Sequence, residues 1–150
     1  MKFPKYYING NYQVKLESDG TKTRTSLDKE FKPKYPETMD VNISNYCIHN
    51  CPFCYISASK EGKHGNLNLD IFNQLKPGTE LAINYAEHPD LVPFLVQMKA
   101  RKVIVNMTIN QKDIPTKSLF IENILRSKLI YGLGVSVNDI KVLDYLISDN

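Results

Sequence analysis

Beyond Pro36 the chain alternates short aliphatic or β-branched runs with helix-length segments, and this rhythm limits the possible fold more than any other feature. Strands alternating with helical patterns form βα units, and such units build parallel sheets. Four units are read. Strand 39–44 precedes a helix over 69–75, strand 81–83 a helix over 90–100, strand 102–109 a helix over 118–127, and strand 130–137 a helix over 140–147. Apolar residues recur at helical spacing, as Leu69, Ile71, Phe72 and Leu75, then Leu91, Phe94, Leu95 and Met98, then Leu119, Ile121, Ile124 and Leu125. All are expected in the core. Val103-Ile104-Val105 is the kind of run used by a strand buried on both faces.

Ahead of Pro36 the pattern differs. Tyr6-Tyr7-Ile8 and Tyr12-Gln13-Val14-Lys15-Leu16 flank Asn9-Gly10, and Asp19-Gly20 leads into Thr21 to Thr25. These dipeptides tolerate the positive φ of tight hairpins, so a small antiparallel three-stranded meander is expected. The prolines of Phe31-Lys32-Pro33-Lys34-Tyr35-Pro36 make an extended connector. The expected organisation is a meander and connector over residues 1–36, then a core over 37–150. With 150 residues and 42% apolar content, one hydrophobic core is the expectation. The whole is read as α/β, a partial (β/α) barrel of about four βα units with parallel strands.

Charge narrows the function classes. There are 19 basic and 16 acidic residues, scattered along the chain, so nucleic acid is not indicated as a partner. The N-terminal MKFPKYYING has no apolar signal region and no run is long enough to span a bilayer, which points to a cytoplasmic protein without a membrane partner.

Three cysteines, Cys47, Cys51 and Cys54, follow the first strand with C-x3-C-x2-C spacing. An odd, tightly clustered set suits a ligand group better than a disulfide framework. Parallel βα architectures gather their chemistry at the carboxyl ends of strands, which is where these cysteines fall. Three thiolates within eight residues can hold one side of an iron–sulfur cluster and leave one metal position free. Zinc is the alternative, with His49 or His64 as a fourth donor, although closed zinc sites carry two separated ligand pairs. Unligated cysteines in a core are the third possibility.

The run Asp40 to Tyr55, with Phe53 immediately before the last cysteine, resembles the cluster loop of the radical S-adenosylmethionine superfamily. The segment Ser59 to Leu67, the Asp19-Gly20 turn and Pro36-Glu37 are similar to phage-type members. The resemblance implies that Cys47, Cys51 and Cys54 hold a [4Fe–4S] cluster whose fourth iron chelates S-adenosylmethionine. It further implies an electron donor such as a flavodoxin or ferredoxin. Reductive cleavage would then give a 5′-deoxyadenosyl radical that acts on an unknown substrate. Phe53 matches the aromatic near the adenine, Glu87 the acidic residue of the turn after the second strand, and Ser136 a fourth-strand serine that reaches the cofactor.

Two departures accompany the match. Where the family carries Gly-Gly-Glu-Pro, this chain has Asn84-Tyr85-Ala86-Glu87-His88-Pro89, which crowds a turn meant for close backbone approach. The family core has six βα units, and four are counted here. A fragment, a truncated gene product or an assembly with another chain fits that count. The alternative to an enzyme is therefore a truncated, non-catalytic remnant that binds an iron–sulfur cluster or, less in keeping with the spacing, zinc.

Overall fold

The computed structural model describes residues 5–139 and Lys141. It holds an antiparallel three-stranded sheet and a parallel four-stranded sheet. β1 (Tyr6–Asn9), β2 (Tyr12–Leu16) and β3 (Lys22–Ser26) form the meander. Its first turn falls one residue later than the sequence suggests. Asn9 pairs with Tyr12 inside the ladder, so Gly10 and Asn11 make the turn, and Gly10 adopts φ +64° where a type II′ hairpin requires it. Asn9 is drawn into the ladder by its buried side chain, which secures the connector. The amides of Lys34 and Tyr35 donate to its Oδ1 at 2.8 and 3.1 Å, and its Nδ2 donates to the Tyr35 carbonyl at 2.9 Å.

The second sheet runs β4 (Thr38–Val41), β5 (Glu80–Asn84), β6 (Ile104–Asn110), β7 (Gly132–Ser136), in that order and all parallel. Helices α1 (Asp70–Gln74), α2 (Leu91–Ala100) and α3 (Ile114–Arg126) connect them. Among the described strands β4 and β7 each have one neighbour, so the sheet is open. The helix expected over 140–147 lies outside the described residues except for Lys141.

One face of the sheet carries the core. Leu81 and Ile83 of β5 and Val105 and Met107 of β6 meet Phe72, Leu75, Leu91, Phe94, Leu95 and Met98, with Met39 and Val41 of β4 packed at the margin. Every expected core residue of α2 is buried, whereas Leu69, Ile71, Leu119 and Leu125 are exposed. α1 has only five residues, too few to hold a full stripe against the sheet. α3 begins four residues earlier than expected, because Pro115 is accommodated in its first turn, where no amide donor is needed. That start turns Ile121 and Ile124 inward, with Phe120 partly buried.

Val103, Ile104 and Val105 are all buried, as a two-sided strand requires. The pattern then changes within β6. Strand alternation puts Asn106, Thr108 and Asn110 on the face away from the helices, beside Asp40, Ala82, Asn84, Gly132, Gly134 and Ser136. Asp40, Ala82, Asn106 and Gly132 form one row across all four strands. This second face is polar and small-residue, with Asp40, Ala82, Thr108, Gly134 and Ser136 exposed. Parallel sheets are ordinarily covered on both sides.

The meander is fixed to the amino-terminal ends of the parallel strands. Lys22 Nζ lies 3.0 Å from the Glu80 carboxylate and donates to the Glu37 carbonyl at 3.3 Å. Arg24 forks onto the Glu37 carboxylate, and the Tyr131 hydroxyl donates to the Ser18 carbonyl at 3.1 Å. The carboxyl-terminal ends of the strands are left to the cysteine loop. Among the described residues no helix is long and apolar enough to cross a membrane.

Candidate metal centre

The expected strand 39–44 ends early, at Val41, because a side chain takes over from the neighbouring backbone. The Asn84 amide accepts from the Ile43 N–H at 2.9 Å and donates to the Ser44 carbonyl at 3.0 Å, as a peptide group would. The chain thereby leaves the sheet and zips onto its own return segment. Gly65 N–H donates to Ile43 O at 2.9 Å, Asn45 N–H to Lys63 O at 3.2 Å, Ser59 N–H to Asn45 O at 3.0 Å and Cys47 N–H to Ser59 O at 2.8 Å. Gly62 makes that approach possible, since a Cβ there would lie 1.9 Å from the Asn45 carbonyl oxygen.

The cysteines occupy the closed end of this zipper. Successive turn bonds, Cys54 N–H to Cys51 O at 3.1 Å and Ser57 N–H to Cys54 O at 3.0 Å, curl the chain around them. Asn50 and Ser57 supply the left-handed residues that the curl requires, at φ +46° and +48°. All three thiols are free and half-buried. Each sulfur accepts one N–H: Cys47 from the His49 backbone at 3.5 Å, Cys54 from the Ala58 backbone at 3.3 Å, and Cys51 from the Asn110 side chain at 3.6 Å.

Among the described residues no three His, Cys, Asp or Glu side chains converge as a single metal ion would need. Tetrahedral zinc places every ligand about 2.0–2.3 Å from one centre. Three soft sulfur donors, each accepting an N–H, are the kind of donor set that iron–sulfur clusters take, and hydrogen bonds to the sulfurs are among the features that tune such clusters.

The remaining candidates are spread around the loop. Phe53 is 66% exposed and covers nothing in the core. Ser136 is exposed at the carboxyl end of β7, paired in register with Asn110. Glu87 forms an ion pair with Lys117, and that hydrogen bond raises the ammonium above its ordinary value. With Cys47, His49, Tyr85, Ala86 and Asp113, Glu87 lines a crevice of about 30 Å³. Tyr85 leans on Phe120 at 5.9 Å between ring centroids, and burial raises its phenol. Ala86 is buried. Tyr85 and Ala86 thus fill the turn after β5, and the crevice as it stands has room for about one water molecule.

His64 is exposed, but it is not a bare loop residue. Its Nδ1 is 3.0 Å from Ser44 Oγ, and its ring lies between Tyr46 and His88 at 5.4 and 4.9 Å. His88, in the turn after β5, is buried between the Gly65 carbonyl and the Asp90 N–H. Those contacts hold its ring with a proton on Nε2.

Three supporting residues had no signal in the sequence, Asn84, Asp113 and His88, whereas Asn110 stands at the end of the third strand in Thr108-Ile109-Asn110-Gln111, a stretch that resembles the Thr-Asn turn of radical S-adenosylmethionine proteins. Asp113 Oδ1 lies 2.8 Å from His49 Nε2, tying the loop to the start of α3 across 64 residues. None is adjacent to the cysteines in sequence, so spacing does not point to them. Comparison of the chain with protein-family models, curated proteins and solved structures finds no match.

Proposed function

We propose that the chain is a [4Fe–4S] cluster-binding protein of the radical S-adenosylmethionine type, with Cys47, Cys51 and Cys54 as ligands and the parallel sheet as part of a (β/α) barrel. The observation that carries the reading is the sulfur environment: three free thiols on one curled loop, each accepting an N–H, at the carboxyl end of a parallel sheet. Bound there, the cluster would supply one-electron reduction, which the family couples to cleavage of S-adenosylmethionine. The chain's own residues do the rest. Asn84 and the return segment to Gly65 hold the loop in shape, and His49 with Asp113 docks it against α3. The exposed polar rows around Asp40, Thr108 and Ser136 give a substrate a hydrophilic floor beside the loop.

A second reading is a cluster-holding protein without turnover. It is favoured by the small size of the crevice between Cys47 and Ala86, about 30 Å³, far below the volume of a nucleoside. Anaerobic reconstitution tests the centre. The expected result is a brown protein with four iron and four sulfide per chain, reduced in Cys54→Ala. A colourless protein carrying stoichiometric zinc overturns both readings. Dithionite-dependent 5′-deoxyadenosine above a cluster-free blank then selects the enzyme, and its absence selects the second reading.

A further inference from the structure

The turn after β6 reaches two separate segments through three side chains. Asn110 reaches Cys51, Gln111 reaches the residues after β7, and Asp113 reaches His49. Gln111 is buried, and its Oε1 accepts from the backbone N–H of Asn138 at 2.7 Å and of Asp139 at 3.2 Å. The cysteine loop and the end of β7 are thus held to one short platform, the turn Gln111–Asp113 and the residue before it.

Asn110 is the member with a chemical consequence. Its Oδ1 accepts from the Lys112 N–H at 3.0 Å, capping the turn. A backbone N–H can only donate, so it selects the amide oxygen, and the amide nitrogen is left facing Cys51 Sγ. An N–H donor favours a sulfur that carries more negative charge, and the bond strengthens as charge accumulates. An iron–sulfur centre gains one electron on reduction, part of it on the thiolates, so such a donor stabilises the reduced form.

We infer that Asn110 is a positioning residue that raises the reduction potential of the centre through Cys51, an assignment that rests on the cluster reading above. The test is an anaerobic spectroelectrochemical titration of the reconstituted full chain, with electrons from the electrode through mediator dyes. Asn110→Ser keeps an oxygen for the Lys112 N–H and removes the donor to sulfur. Asn110→Asp keeps the cap and sets a carboxylate against the thiolate.

Both variants are expected to fold as the parent does, checked by circular dichroism, and the midpoint is read on the iron-loaded fraction of each. Asn110→Ser shifts the midpoint to more negative potential. Asn110→Asp shifts it further, lowering the reduced-to-oxidised ratio at fixed poise about tenfold, or 59 mV for a one-electron couple. Midpoints equal to the parent in iron-loaded variants overturn the role of Asn110 and leave the cluster standing. A parent chain that takes up no iron overturns the cluster and this role with it.

Discussion

Glu37 shows how one side chain can join the two sheets. Its carboxylate receives Arg24 Nη2 at 2.8 Å and Nε at 3.1 Å, together with the Tyr12 hydroxyl at 2.5 Å. Burial alone would raise the carboxyl, and the bonds from Arg24 and Tyr12 outweigh it, holding Glu37 below its ordinary value. Burial and the neighbouring Glu37 push the Tyr12 phenol up to about 12, so it remains a donor throughout the working range. A carboxyl whose folded-state value is depressed stabilises the fold fully above the unfolded value of 4.5, and loses that contribution as pH falls through the folded value. Glu37→Gln is expected to cost about 1–3 kcal/mol at neutral pH. The difference from the parent should narrow as the pH falls toward about 3, read from urea unfolding at both pH values. A gap that stays constant on acidification would remove Glu37 from the account. Little of this was visible in the sequence, where Glu37 stood out only as part of the approach to the first strand.

The cysteine loop is an element without regular secondary structure, and its shape comes from backbone-to-backbone bonds between two facing segments. At Gly62 a Cβ would meet the Asn45 carbonyl, and its conformation is not left-handed, so space rather than dihedral strain selects glycine there. Gly62→Ala is expected to force Asn45 and Gly62 apart and to cost about 1–3 kcal/mol, as overpacking does elsewhere. Iron bound per chain after reconstitution should fall with it. Parent values for both the melting temperature and iron content would show that the zipper does not depend on that contact. Within α3, the sequence placed the start at Ser118, while Pro115 permits one at Ile114. A proline is compatible with either a break or a first turn, and only the packing of Phe120 and Ile124 against the core decides between them.

For the molecule as a whole, stability lies in the layer between the parallel sheet and α1 to α3. Leu95 is fully buried at its centre, and Leu95→Ala is expected to cost about 2–5 kcal/mol, seen as a lower urea midpoint with little change in slope. A loss below about 1 kcal/mol would mean that the layer collapses around the missing side chain. By itself the sequence determined the meander, the four parallel strands in order, the burial of α2 and the place of Cys47, Cys51 and Cys54 after the first strand. Those features arise from local periodicity, turn chemistry and spacing, which act over a few residues. Tertiary structure alone decided which stripes of α1 and α3 face solvent, that the sheet's second face is polar, and that Asn84, Asn110 and Asp113 reach the cysteine loop from 40 to 64 residues away. The physical reason is that a hydrogen bond between distant segments depends on where the sheet register brings them, and side-chain amides carry no periodic signal of that meeting.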